Sequence, residues 1–400
     1  MLSVTEARGK ILAAISATGG ETVALPNAAG RVLCAPLTAR LTQPPADVSA
    51  MDGFALRSAD GRAGVTLKII GSAPAGHPFT GIIRPGQAVR LFTGSFVPDG
   101  ADTVLIQEDA TVEGQKVTVK ETCGEDKNIR RAGQDFAAGD ILIQTGKRLT
   151  ARDIGLAAAG NHPWLTVHRR PRIAILATGD EISLPGEAIG PGGIVSSNAH
   201  ALAAFVSASG GDPTVLPIAG DTLTAIAEGA DAALGADLLI TTGGASVGDH
   251  DLVQAGLASR GLSLEFWKIA MRPGKPLMFG ALGAMPMLGL PGNPVSAFVC
   301  ALLFLRPAID RLLGLPGAAP VTEPARLTTR LKPNDQREDY VRATLTRDAS
   351  GWLATPFPVQ DSGMLRTLAH ATALIQRPPR DPALPEGSAV QVIRLDTLTL

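Results

Sequence analysis

Apolar positions change their period four times along the chain, and each change predicts a switch between helical, β and alternating α/β structure. Near the start, Val4, Ala7, Ile11, Ala14 and Ile15 recur at helical spacing behind Ser3-Val-Thr-Glu6, a capping box. This predicts an amphipathic helix over residues 4–17. From 45 to 145 the pattern becomes short β-type runs at 65–70, 88–92, 103–107 and 116–119. Arg84-Pro-Gly86, Pro98-Asp-Gly100 and Glu113-Gly114 separate them, so the segment reads as an all-β insert. A second helical piece, 151–159, ends at Gly160-Asn161 and is expected to pack with the first.

Between 171 and 315, apolar strands alternate with helices. The expected strands are 172–177, 215–218, 237–242, 262–268, 276–280 and 285–290; the helices are 198–207, 221–234, 249–259 and 293–313. This alternation predicts a mostly parallel sheet covered on both faces, with ligands beyond the carboxyl ends of its strands. Those ends carry Thr178-Gly-Asp-Glu181, Gly243-Gly-Ala-Ser-Val-Gly248 and Leu290-Pro-Gly-Asn-Pro294. After a linker at 314–320, strands at 325–331, 339–345 and 389–395 and a short helix at 364–367 predict a small β domain.

Composition narrows the function classes. Four hundred residues exceed one ordinary core. Charges nearly cancel, 36 basic against 37 acidic, which disfavours a general nucleic-acid binder. Forty-five glycines and 30 prolines point to tight turns rather than a helical bundle. Cys34, Cys123 and Cys300 are too scattered for a disulfide framework or structural zinc. The start lacks a signal-peptide pattern and no apolar run reaches about 18 residues. A soluble, cytoplasmic protein with no membrane or nucleic-acid partner is expected.

The loops supply candidate chemistry. Asn293 and Pro294 suit the N-cap and first turn of a helix whose free N–H groups attract an oxyanion, with the Ser296 hydroxyl alongside. The competing reading is an ordinary strand-to-helix turn. Lys268, Arg272 and Lys275 surround a Pro-Gly turn and read as convergent cations for an anionic ligand, or as a solvated basic loop. Asp52, Glu108, Asp135, Asp180, Glu181, Asp221, Asp249 and Asp251 offer oxygen ligands for Mg²⁺, although each also suits a turn or cap, Asp221 above all. Walker, GxGxxG, HExxH and GxSxG motifs are absent.

Ordered blocks then resemble the MoeA family of molybdopterin molybdenumtransferases, which includes the gephyrin E domain. They are Ser49-Ala-Met-Asp-Gly-Phe-Ala55, Leu91-Phe-Thr-Gly94, Pro98-Asp-Gly-Ala-Asp102 and Asn128-Ile-Arg-Arg-Ala-Gly133. Thr178–Glu181, Gly243–Asp251, 268–276, Leu290–Ser296 and Ser362-Gly-Met-Leu-Arg366 continue the match. The resemblance implies a multi-domain α/β plus β fold in four parts. They are a helical linker and dimerisation segment (1–44 plus 140–170), a β-rich insert (45–139), a MogA-like molybdopterin-binding α/β domain (171–315) and a C-terminal β-barrel (316–400).

It also implies an elongated homodimer, the insert of one subunit reaching the α/β domain of the other. The implied reaction inserts molybdenum from molybdate into adenylylated molybdopterin, releasing AMP, with Mg²⁺ or a similar cation. Asp52, Thr93, Asp135, Glu181, Asp221 and Asp251 become the catalytic set, with Glu181, Asp221 and Asp251 on the metal. Ser246, Lys268, Arg272, Lys275, Gly292, Asn293, Pro294, Ser296, Arg342 and Ser362 become the substrate-binding set. The chain departs from many relatives at Gln134-Asp135, where glutamate precedes aspartate, and at Arg272, where some have lysine. Further partners implied are other cofactor-biosynthesis proteins and recipient molybdoenzymes. The alternatives are a molybdopterin adenylyltransferase, marked by pyrophosphate release from ATP, and a non-catalytic cofactor carrier or scaffold.

Overall fold

The computed structural model describes residues 1–74, 76–243 and 252–397. The chain divides into two compact units: Met1–Glu21 with Gly30–Cys34 and Val167–Leu400, and Thr22–Ala29 with Ala35–Thr166. That division cuts across the expected helical segment. Its first helix, Val4–Ala13, belongs to the larger unit and its second, Ala151–Ala159, to the smaller.

In the larger unit six strands lie in the order Asp212–Val215, Arg172–Ala177, Leu238–Thr242, Met285–Leu290, Met278–Leu282 and Leu262–Trp267. The first four are mutually parallel and the last two antiparallel. Side chains alternate between two cores. Ile173 and Ile175 bury with Val4, Phe205 and Val295, whereas Ala174 and Leu176 bury with Ile226, Val253 and Leu257. Each large apolar side chain so buried stabilises the fold by roughly 1.5–3 kcal/mol, so both sheet faces carry helices.

Several boundaries move. The capping box forms, Glu6 N–H donating to Ser3 Oγ at 3.2 Å, but the helix stops at Ala13 rather than residue 17. The strand expected at 215–218 lies upstream at Asp212–Val215, an edge position that tolerates Pro213. The final helix runs through Pro294–Cys300, a π turn at Ala301–Leu305, and Arg306–Leu312. The widened turn accommodates Pro307, which lacks an N–H and crowds the preceding turn.

C-terminal strands Glu338–Asp348, Gly351–Pro356, Glu323–Leu327, Ala389–Arg394 and Ala373–Arg377 pair in that order, and the last closes onto the first. This is the expected β-barrel, with two strands beyond those the sequence pattern predicted. Met271–Arg272 adds to it in parallel, against Glu338–Asp339.

The smaller unit is built on a curled six-stranded sheet. Its order is Thr103–Ile106, Gly53–Leu56, Gln87–Leu91, Thr66–Ala73, Lys116–Val119 and Ala110–Glu113. Phe54, Leu105 and Val117 bury on one face, and Ala55, Val89 and Val104 on the other. Among the described residues no helix is long and apolar enough to cross a membrane.

Candidate active site

Beyond the carboxyl ends of strands Arg172–Ala177, Leu238–Thr242 and Met285–Leu290 lies a cavity of about 870 Å³. Glu181, Arg272, Lys275, Gly292, Asn293, Pro294, Ser296 and Ser362 all line it, so most of the expected substrate set does converge. Gly243 closes its floor at φ +102, and a Cβ there would stand 2.3 Å from the Thr178 carbonyl oxygen. Only glycine fits so close a backbone approach.

The helix terminus at Asn293-Pro294 is not free to take an anion in the way its sequence suggests. Asn293 sits at the N-cap with Pro294 behind it, but its side chain makes no cap bond. Instead Asn293 Nδ2 donates to Ser362 Oγ at 2.9 Å, and Val295 N–H donates to the Ser362 carbonyl at 3.1 Å. A loop of the barrel thus satisfies one of the helix's orphan donors.

Nor do the three cations converge. Lys268 lies over the Trp267 ring, 3.9 Å from its centre, and is not part of the cavity wall. Arg272 reaches the wall but pairs with Asp339 and, at 3.5 Å, with Asp335; the bond to Asp339 raises its pKa above the ordinary guanidinium value. Lys275 lines the cavity with no carboxylate partner among the described residues.

Carboxylates gather at the neighbouring strand ends. Asp221 N–H donates to Asp180 Oδ1 at 2.9 Å, and Asp180 N–H to Asp221 Oδ2 at 3.4 Å. Asp221 is not the helix cap: Thr222 takes that role, its hydroxyl accepting from Ala225 N–H at 3.1 Å, which leaves the aspartate to this exchange. Gly179 and Gly220 make room for the group, since a Cβ on either would press on the Glu181 or Asp180 carboxylate at 2.5 and 2.9 Å. Among the described residues no three metal-ligating side chains meet. Ser246, Asp249 and Asp251 lie outside the described residues.

In the smaller unit, antiparallel register sets Gly53 opposite Leu91, which brings the residues just outside these strands together. Thr93 donates to Asp52 Oδ1 through its N–H at 2.8 Å and its hydroxyl at 2.9 Å. These bonds, the main-chain one first, hold the Asp52 carboxyl below the ordinary aspartate range. Arg90 stacks between the Phe54 and Phe92 rings nearby. Asp135 lines a different hollow, with Phe136, Asp140 and Leu156.

Some site residues escaped sequence reasoning. Asn198, read only as a helix start, donates Nδ2 to both Thr242 Oγ1 (2.9 Å) and the Gly292 carbonyl (2.7 Å), tying two of the loops together. Arg342 is 1% exposed and does not line the cavity; its guanidinium holds Gln360 and the carbonyls of Asp361 and Met364. Burial pulls its pKa below the usual guanidinium value. The helix-start asparagine and the cavity-lining Gln360 carry no motif that would single them out, whereas Arg342, expected in the substrate-binding set, stands off the cavity wall and holds the 360–364 loop instead.

Family models match the chain in three consecutive stretches. They are the MoeA N-terminal region (domain I and II) at residues 2–160, a probable molybdopterin binding domain at 174–311, and the MoeA C-terminal region (domain IV) at 324–395. A molybdopterin molybdenumtransferase from Nostoc sp. is 36% identical over 94% of this chain and 88% of its own length. Molybdopterin molybdenumtransferase 2 from Mycobacterium tuberculosis is 34% identical over 98% of this chain and 99% of its own. The crystal structure of a molybdopterin biosynthesis MoeA protein from Pyrococcus horikoshii superposes with a TM-score of 0.87 at 27% identity, covering 98% of this chain and 99% of that one.

Proposed function

The chain belongs to the MoeA family and is a molybdopterin molybdenumtransferase in activity, and from that premise we propose how its residues divide the work. The presence of both MoeA regions on either side of the probable molybdopterin binding domain favours this activity over adenylyl transfer or cofactor carriage. The observation that carries the division of labour is the cavity at the strand ends, lined by Glu181, by the docked Ser362 loop and by Lys275, which has no carboxylate partner among the described residues.

In this reading Lys275, Arg272, Ser296 and Ser362 gather molybdate and the phosphate groups of adenylylated molybdopterin. Arg342 supports that end of the site from beneath, since its buried charge has only carbonyl and amide partners among the described residues. Asn198 keeps the Gly292 carbonyl turned away from the anions. On the insert, Asp52, whose ionised form Thr93 favours, and Asp135 are the carboxylates offered for the reaction. Nothing here requires a protein nucleophile; the work is positioning and charge complementarity.

Glu181 and Asp221 offer hard oxygen donors, and neither buried thiol is among the residues lining the cavity, Cys300 packing behind Gly274, so a divalent cation such as Mg²⁺ fits this donor chemistry. Glu181, Asp221 and Asp251 would hold it, and when bound it polarises the phosphoanhydride. We also assign the protein to the cytoplasm, as a homodimer that works beside other cofactor-biosynthesis proteins and recipient molybdoenzymes.

The decisive experiment supplies adenylylated molybdopterin and molybdate and follows AMP. Molybdate-dependent AMP release is expected, together with no pyrophosphate from ATP and molybdopterin. Asp52→Ala and Asp251→Ala should each fold and lose insertion; retained insertion by both variants overturns the assignment.

A further inference from the structure

We propose that Gln360 is a positioning residue for the anion-binding end of the site: its side-chain amide clamps the main chain of Arg342 and thereby sets where Ser362 stands. The proposal rests on the reading of Arg342 and Ser362 given above.

Gln360 makes four hydrogen bonds with its amide. Oε1 accepts from Arg342 N–H at 3.0 Å and from Arg342 Nε at 3.3 Å. Nε2 donates to the Arg342 carbonyl at 2.9 Å and to the Phe357 carbonyl at 2.9 Å. A carboxamide presents an acceptor and a donor side by side, so it pairs with the N–H and C=O of one residue as a neighbouring strand would. Serine, glutamate or lysine at this position offers only part of that pattern.

Arg342 then grips the same loop from the other side. Its guanidinium donates to the Asp361 carbonyl at 2.8 Å and the Met364 carbonyl at 3.3 Å. Ser362 lies between these two points and is held across the cavity by Asn293 and Val295. Packing contributes little, because the apolar residues flanking this turn, Val359 and Met364, are 53% and 39% exposed. A segment without buried apolar anchors takes its geometry from its hydrogen bonds. The loop that brings Ser362 to the substrate therefore stands where Gln360 and Arg342 jointly fix it.

The test is steady-state AMP release by the full chain, varying molybdate and adenylylated molybdopterin separately, with a melting temperature for each variant. Gln360→Ala, which removes all four bonds, should raise the molybdate KM about tenfold, as expected for losing hydrogen bonds to a charged group. The KM for adenylylated molybdopterin should rise in the same direction, because Ser362 also serves its phosphate groups. The four lost bonds should lower the melting temperature modestly, while kcat at saturation changes less than either KM. Gln360→Glu keeps the acceptor but sets a carboxylate oxygen against the Arg342 and Phe357 carbonyls and adds a negative charge to the cavity wall, so it should raise the molybdate KM at least as much as Gln360→Ala. A Gln360→Ala protein with an unchanged molybdate KM overturns the proposal, whether its kcat and melting temperature fall or not. Ser362→Ala and Arg342→Lys separate the two levels: if they raise the molybdate KM while Gln360→Ala does not, only the positioning role fails. If they too leave it unchanged, the anion-site reading itself fails.

Discussion

Thr93 donates twice to a single oxygen of Asp52, once from its main chain at 2.8 Å and once from its hydroxyl at 2.9 Å. Both bonds favour the ionised carboxylate and hold its pKa below the usual value. Thr93→Val keeps the first bond and removes the second. The Asp52 pKa should rise toward the ordinary aspartate value without reaching it, as read by carboxyl-carbon NMR titration. An unmoved titration would show that the hydroxyl does not hold the carboxylate.

Asp153 closes a capping box at the helix Ala151–Ala159, accepting from Thr150 N–H at 2.8 Å and from Lys147 Nζ at 2.5 Å. Burial opposes its charge, but the lysine and threonine bonds prevail and set its pKa at about 2. The folded value is depressed, so its stabilisation is complete above the ordinary carboxylate pKa and is lost as pH falls through about 2. Asp153→Ala should cost about 1 kcal/mol near neutral pH in urea unfolding. The wild type and variant should converge in stability at the acid end.

Gly274 carries φ +111 in the turn before Lys275, and a Cβ there would stand 2.5 Å from Cys300 Sγ. Gly274→Ala therefore meets backbone strain and an overpacked helix contact together, and is expected to cost about 3 kcal/mol. Chemical denaturation measures the loss. Wild-type stability in this variant would mean the turn can re-form around the methyl group.

Asn198→Ala removes two bonds that hold the Gly292 carbonyl and the Thr242 hydroxyl in place. A drop in kcat/KM for adenylylated molybdopterin of about tenfold is expected, with a stability loss of about 1 kcal/mol. If kinetics stay at wild-type values while stability falls, the residue braces the fold alone.

Much of this could be read from the chain because buried central strands are continuous apolar runs. Arg172–Ala177 and Met285–Leu290 lie where that rule predicts, and their glycine-rich ends form the cavity. Strands Gly351–Pro356 and Ala373–Arg377 were not legible: the first is short and half-buried, the second is buried but only five residues long and ends in Gln376-Arg377, and both are declared only by pairing with other strands. The basic loop misled for a similar reason. Its charges are adjacent in sequence, yet Asp335 and Asp339, more than sixty positions on, neutralise Arg272, and an aromatic neighbour draws Lys268 aside. The Ser362 loop filling a helix terminus likewise depends on where the barrel closes, which no local pattern records.

Met271–Arg272 belongs by sequence to the α/β layer but by hydrogen bonding to the barrel's ladder. A chimera that exchanges barrels between relatives at the 314–320 linker would leave this foreign rung behind, along with Asn293, which needs its serine opposite. Exchanges that carry 271–276 and 291–296 together with the barrel should keep the cavity wall intact, so the heritable unit here is an interlocked pair rather than two separable modules.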